Sequence, residues 1–279
     1  MTDDPRPPIV PPGLDATILL LRHGESEWVA QGLFQGQGDS PLSATGRRQA
    51  SLAAERIAHA HRPPALPVPR GAPVAVVHSP LSRTTETATL VTAAIQAENH
   101  HGSVRVRADA GFLEIGQGEW EGVPSATVAE RWKELLDGWR NDPLTAWAPG
   151  GESVPEVDAR VREALGRLLA ELDGASPEGA AVRSPVLGYA DLPSDEPWSV
   201  VVGHDGVFKV TLLALLDLPL SRFWTFPFAL CGITVVELRA GRPRLRLHNA
   251  TDHLAPLESE AAAEAARIAA SERARTGAL

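Results

Sequence analysis

Acidic side chains outnumber basic ones 35 to 26 in this 279-residue chain, and the net charge of −9 argues against a general binder of nucleic acid or anionic membranes. A composition of 43% hydrophobic and 22% charged residues suits one large domain or two small ones with a sizeable core. One cysteine, Cys231, excludes an internal disulfide framework and any multi-cysteine metal site, and reads as a small buried apolar residue.

The first residues, MTDDPRPPIVPPG, place acids and prolines where a secretory leader has bases followed by apolar residues. Residues 1–14 are expected to form a Pro-rich flexible arm. No run approaches the roughly 18 apolar residues of a membrane span. A reduced, cytoplasmic protein without a nucleic-acid or membrane partner is expected, with a homodimer left open.

TILLL (17–21) has the length and branched residues of a buried parallel strand. Ala50, Ala53, Ala54, Ile57 and Ala58 then recur at helical spacing behind Ser43, a helix-starting residue. VAVV (74–77) is a second strand. Ser79 and Pro80 read as a cap and first-turn proline opening a helix whose Ala88, Val91 and Ile95 face inward. Val157, Val161, Leu165, Leu168 and Leu172 repeat the helical pattern. The stretch from about 173 to 198 reads as an inserted irregular loop. SVVV (199–202) is a third strand, and Phe208–Leu216 is apolar nearly all round, as a buried helix would be. ITVVEL (233–238) and RLRLH (244–248) read as two closing strands around the turn RAGRP. The Ala- and Glu-rich tail, 256–279, is expected to be helical and weakly docked. Alternating strands and helices imply an α/β protein, a three-layer α/β/α sandwich on a mostly parallel central sheet. Residues 15–255 are taken as its single domain.

The three most apolar strands each run into a cationic group. TILLL meets Arg22 and His23, VAVV meets HSPLSR with Arg83, and SVVV meets Gly203 and His204. Ligands of open α/β sheets bind beyond the carboxyl ends of the strands. Parallel neighbours would bring these tips to one edge, making a basic pocket in an acidic protein. Guanidinium groups pair phosphate oxygens through charge-assisted hydrogen bonds. Gly24 and Gly206 would let backbone approach such a ligand.

LLRHGESEW, FQGQGDSPLSATGRRQA, HSPLSRTTETA, FLEIGQGEWEG, GGES and VVVGHDGVFK, in that order, resemble the histidine phosphatase superfamily, the phosphoglycerate mutase-like family. The resemblance runs from about Thr17 to His253. It implies a phosphomonoester hydrolase with neither cofactor nor metal, acting on a small phosphorylated metabolite through a phosphohistidine. His23 matches the nucleophile. Arg22, Arg83 and His204 match the groups that hold the phosphoryl oxygens, with His204 protonated once substrate binds. Glu114 matches the general acid, chosen over Glu25, Glu27, Glu119 and Glu121 by the resemblance alone. Gln35 and Gly36 match substrate-contacting positions. The broad-specificity and α-ribazole phosphatases are the branch it looks most similar to.

Two residues depart from the pattern. Val29 stands where many members have an Asn that touches phosphate. Asp205 stands where a Gly is usual; its carboxylate must point away, pair with a cation, or recognise a hydroxyl or amine on the substrate. Ile115, Gly116 and Gln117 replace the Arg and Tyr with which the mutase branch grips a second anionic group, which favours hydrolysis over isomerisation. A mutase, or a weakly active phosphate- or phosphoprotein-binding member of the fold, is the alternative. A serine hydrolase built on Ser26 is disfavoured, since GESEW carries Trp28 where a nucleophile elbow requires Gly. Trp28 and Trp224 are candidates for shaping substrate choice. His59, His61, His100, His101, His248 and His253 read as ordinary structural or solvated residues.

Overall fold

A computed structural model describes residues 7–98, 103–176, 196–261 and 267. In chain order the elements are β1 (Ala16–Arg22), α1 (Glu27–Ala30), α2 (Ala44–Ala58), β2 (Ala75–His78), α3 (Ser82–Glu98), β3 (Arg105–Ala108), α4 (Ser125–Arg131) and α5 (Lys133–Asn141). They continue with α6 (Val154–Gly174), β4 (Trp198–Gly203), α7 (Asp205–Leu215), β5 (Ile233–Arg239) and β6 (Arg242–Ala250).

The strands form one six-stranded sheet in the order β3-β2-β4-β1-β5-β6. β1, β4, β2 and β3 run parallel, while β5 runs antiparallel to both β1 and β6. Successive side chains of a strand alternate between faces. Leu19, Leu21, Val76, Val200, Val202, Ile233 and Val235 therefore pack on one side, under α2 and α3. Ile18, Leu20, Val77, Val201, Val236 and Leu238 pack on the other, under α6 and α7. Burial on both faces is why β1 and β4 read as unbroken apolar runs. A smaller core of Trp120, Val128, Leu136 and Ala148 lies under α4 and α5.

Several expectations are altered by long-range contacts. The arm is not loose from Pro7 on: Val10 and Leu14 are buried in the core, and Gly241 N donates to Leu14 O. β3 was not legible, because its sequence RVRA is mostly exposed at a sheet edge. The helix after β2 starts at Ser82 and not at Ser79–Pro80, because Asp39, from a distant turn, accepts hydrogen bonds from Ser82 N and Oγ at 2.7 Å. Ser43 does cap α2, accepting from Gly46 N. α6 runs through Gly174 and β4 begins at Trp198, so both ends of the expected inserted loop are ordered; residues 177–195 lie outside the described residues. Residues 255–261 of the tail are helical, with Glu260 paired to Arg48 at 2.6 Å; 262–266 and 268–279 lie outside the described residues. So do His100 and His101.

Candidate active site

Register brings the strand tips level. Arg22 of β1 stands beside Gly203 of β4, and His78 of β2 beside Val202. One residue further, His23 N donates to Gly203 O at 3.0 Å and Ser79 N to Val202 O at 3.1 Å. The three chains thus leave the sheet together. Their first side chains converge: the His23 and His204 rings lie 5.0 Å apart between centroids, inclined by 64°. Arg83, in the first turn of α3, is wholly buried and reaches His204 with Nε at 3.3 Å from Nδ1. Arg22, Arg83, His23 and His204 therefore form one cluster.

Hydrogen bonds assign the tautomers. His23 Nδ1 lies 2.6 Å from the Gly24 carbonyl, which can only accept, so Nδ1 carries the proton and Nε2 keeps its lone pair. Burial, then the charges of Arg83 and Arg22, hold the His23 pKa well below the usual histidine value, against the pull of the Gly24 carbonyl. His204 Nδ1 accepts from Arg83, and its Nε2 donates to Ser79 Oγ at 2.9 Å. Burial, then neighbouring His23, Arg83 and Arg22, depress the His204 pKa as well. Desolvation beside the same cations holds both rings toward the neutral form; the protonated His204 is expected only once a phosphate dianion is bound. Both nitrogens of His204 also have protein partners, so a phosphoryl contact would have to displace one of them.

Arg83 donates through Nη1 to Gly38 O at 2.9 Å and through Nη2 to Gly36 O at 2.7 Å. Desolvation lowers its pKa to about 10, opposed mainly by the charge of Glu114, so it stays cationic at neutral pH. A guanidinium carries five N–H donors, and these contacts with the one to His204 leave two unspent. Arg22 donates through Nη1 to Phe228 O at 2.6 Å, and its buried Nε has no acceptor among the described residues.

Glu114 stands at the start of α7. Oε1 accepts from Val207 N and Ile115 N at 2.9 Å, and Oε2 from Gly206 N at 3.2 Å. A helix N-terminus offers such unpaired amides to a carboxylate. Two of the rival carboxylates have other tasks. Glu25 accepts from Ser43 Oγ at the start of α2, and Glu121 accepts from the amides of Gln37 and Gln117, tying two loops together. Gln35 donates to Ser26 Oγ, which also accepts from Val29 N. Gly36 contributes its carbonyl to Arg83, and a Cβ there would stand 2.2 Å from Glu121 Oε1. Asp205 does pair with a cation: Lys209 Nζ donates to Oδ2, and Phe228 N to Oδ1 at 3.2 Å. Gly24 and Gly206 serve the protein's own packing. A Cβ on Gly24 would meet Gly46 O at 2.3 Å, and one on Gly206 would meet Glu114 Oε1 at 2.7 Å.

Ser79, read from the sequence only as a helix cap, and Arg160, Glu152 and Gln37 were not singled out as site residues. Arg160 donates to Gly111 O, Leu113 O and Glu114 O and pairs with Glu152, which also accepts from Gly116 N and Gln37 Nε2. This frame shapes the 111–117 turn that presents Glu114. A buried-facing arginine in the otherwise apolar stripe of α6 was its one visible signal. The Trp28 ring packs where Cβ atoms on Gly38 or Gly122 would stand, making it a wall of this loop. Trp224 stays 41% exposed.

Comparison with known proteins agrees with this geometry. The family model described as histidine phosphatase superfamily (branch 1) matches residues 18–182 and 186–251. A bifunctional protein of Mycobacterium tuberculosis is 30% identical over 243 residues, 87% of this chain and 56% of that protein, so the chain spans about half the length of this relative. Phosphoserine phosphatase 1 of Hydrogenobacter thermophilus is 28% identical over 247 residues, covering 88% of this chain and 97% of that one. The solved structure of a mycobacterial glucosyl-3-phosphoglycerate phosphatase with VO3 superposes with a TM-score of 0.63 at 30% identity, covering 84% of this chain and 98% of the other.

Proposed function

The chain belongs to the histidine phosphatase superfamily, and from that premise we propose that it hydrolyses phosphomonoesters of small metabolites through a phosphohistidine on His23. The observation that carries this reading is the His23 tautomer. Its proton is held by the Gly24 carbonyl, leaving a neutral Nε2 beside two guanidinium groups. In this reading the Nε2 lone pair attacks phosphorus as the P–O ester bond breaks, and Glu114 gives a proton to the departing oxygen. Water, giving up a proton to Glu114, then cleaves the P–N bond and restores neutral His23 with release of inorganic phosphate. Charge spreads over three equatorial oxygens in the transition state, where Arg22, Arg83 and His204 supply donors. His204 would turn its Nε2–H from Ser79 toward a phosphoryl oxygen. Gln35 and Gly36 are assigned to the rim where the rest of the substrate sits, and Asp205 stands beside that rim.

The chemistry is assigned to a domain of about residues 15–255. A reducing cytoplasm suits its one buried cysteine, and no described helix is long and apolar enough to cross a membrane. The test is hydrolysis of 4-nitrophenyl phosphate, radiolabelled at phosphorus, in the presence of a chelator, with alkaline-quench trapping of the labelled phosphoenzyme. Turnover that survives chelation, is inhibited by vanadate and passes through an acid-labile phosphoenzyme is expected. Net conversion of 3-phosphoglycerate to its isomer without phosphate release would replace this reading with the mutase one.

A further inference from the structure

Asp205 is the residue least explained by a phosphate pocket, since a carboxylate next to His204 works against an anion. Its contacts run elsewhere. Lys209, one turn further along α7 and almost wholly buried, donates to Oδ2, and its ammonium lies 4.9 Å from the Trp224 ring centre and 5.5 Å from that of Phe223. Oδ1 accepts from Phe228 N, and the carbonyl of that same Phe228 accepts from Arg22 Nη1 at 2.6 Å. Three consecutive contacts therefore lead from Lys209 through Asp205 and one residue to the Arg22 guanidinium.

The segment around Phe228 backs the whole first motif. Gly232 O accepts from Arg22 N at 3.4 Å, and Cys231 N donates to His23 O at 3.3 Å. Its Phe228 end is also held by Asn249 of β6, whose Oδ1 accepts from Ala229 N at 2.6 Å. Outside these two side chains the segment lies between a 3-10 turn (Leu220–Thr225) and β5, with no regular ladder of its own before Ile233. Among the described residues Arg22 Nε has no acceptor, and the Phe228 carbonyl accepts the one hydrogen bond of this guanidinium.

We propose that the Asp205–Lys209 pair is a positioning device that clamps the 228–232 segment so that the Phe228 carbonyl aims the Arg22 guanidinium. Lys209 neutralises Asp205, which removes the electrostatic objection to a carboxylate here, and its seat against two aromatic rings sets where that carboxylate stands. The proposal rests on the phosphatase reading only for the use to which Arg22 is put. A misplacement of about 1 Å can cost roughly 100-fold in rate. Asp205→Ala, which removes both contacts, is therefore expected to lose about 10- to 100-fold in kcat/KM. Lys209→Met should lose about tenfold, and Lys209→Arg, which restores a cation, should recover most of that.

Two measurements on the full chain separate the outcomes. The first is the affinity for vanadate, expected to weaken about tenfold or more in Asp205→Ala. The second is the NMR signature of the Arg22 side chain, assigned with Arg22→Lys: restricted rotation about Cζ–Nη in the parent protein and averaged signals in Asp205→Ala. Thermal melting confirms that each variant is folded. Averaged Arg22 signals in a folded Asp205→Ala protein support the device. Unchanged restriction, with vanadate affinity within twofold of the parent, overturns it. If the parent chain neither binds vanadate nor hydrolyses any phosphomonoester, the phosphatase reading fails, and the Arg22 signals still decide the clamp.

Discussion

Strand β1 has arginines near both of its ends, and they are treated in opposite ways. Near its start, where Thr17 faces Glu237 of β5, Arg239 is paired with Glu237 at 2.5 Å and Glu196 at 2.9 Å, and Arg246 with Glu237 at 2.9 Å. At its finish, the hydrogen bonds of Arg22 and Arg83 run to the carbonyls of Phe228, Gly36 and Gly38 and to His204. A buried cation paired with carboxylates is neutralised and serves the fold. One whose hydrogen bonds run to carbonyl dipoles is held in place without a directly bonded carboxylate, as a site for a phosphoryl dianion requires. Burial alone does not separate the two ends; the identity of the acceptors does.

Breaking the catalytic end at its nucleophile should have the largest effect. His23→Ala is expected to lower 4-nitrophenyl phosphate turnover by about 10⁴-fold or more with little change in Tm; near-parental rates would remove the covalent route. Arg83→Lys keeps the charge but loses the planar fork, and a fall of about 10³-fold in kcat/KM is expected. Arg246→Met at the opposite end is the matching control. Its turnover should stay within twofold while stability drops by about 3 kcal/mol, read from denaturant midpoints. Equal kinetic losses at the two ends would erase the distinction. Glu114→Gln should slow hydrolysis of glycerol 3-phosphate by about 10²-fold more than that of 4-nitrophenyl phosphate, whose leaving group needs no proton. Parallel losses would take the acid role from Glu114.

The smallest effect concerns protons. The folded chain holds His23 and His204 neutral well below the usual histidine value, whereas the unfolded chain protonates them near pH 6.5. The unfolded state thus binds more protons below that pH. The stability contributed by neutral burial is present above about pH 6.5 and drains as pH falls, by up to roughly 1.4 kcal/mol per pH unit for each ring. His204→Gln should flatten the decline of denaturation midpoints between pH 7 and 5. An unchanged slope would mean that this ring already titrates normally in the folded chain.

Much of this site was legible in the chain before any coordinates. Apolar runs of strand length ending in Arg22–His23, His78–Ser79 and Gly203–His204 are local signals, because two-sided burial demands continuous apolar residues wherever a strand is central. The inward faces of α2, α3 and α6 were equally plain from helical spacing, since periodicity reports which side of an element meets the core. Edge strand β3, mostly exposed and rich in arginine, carries no such signal. Periodicity also says nothing about which distant group completes a hydrogen bond.

That is where the tertiary structure decided. The cap of α3 came from Asp39, the Ser79 hydroxyl met the His204 ring, and Arg160 was turned under the Glu114 loop. Asp205, an apparent intruder, found Lys209 and Phe228. The sequence by itself determined residue types at strand ends and the faces that must be buried, both being properties of a few neighbouring residues. Tautomers, charge pairing and the aim of each guanidinium depend on partners tens to hundreds of residues away, and only sheet register and helix packing bring those within hydrogen-bond reach.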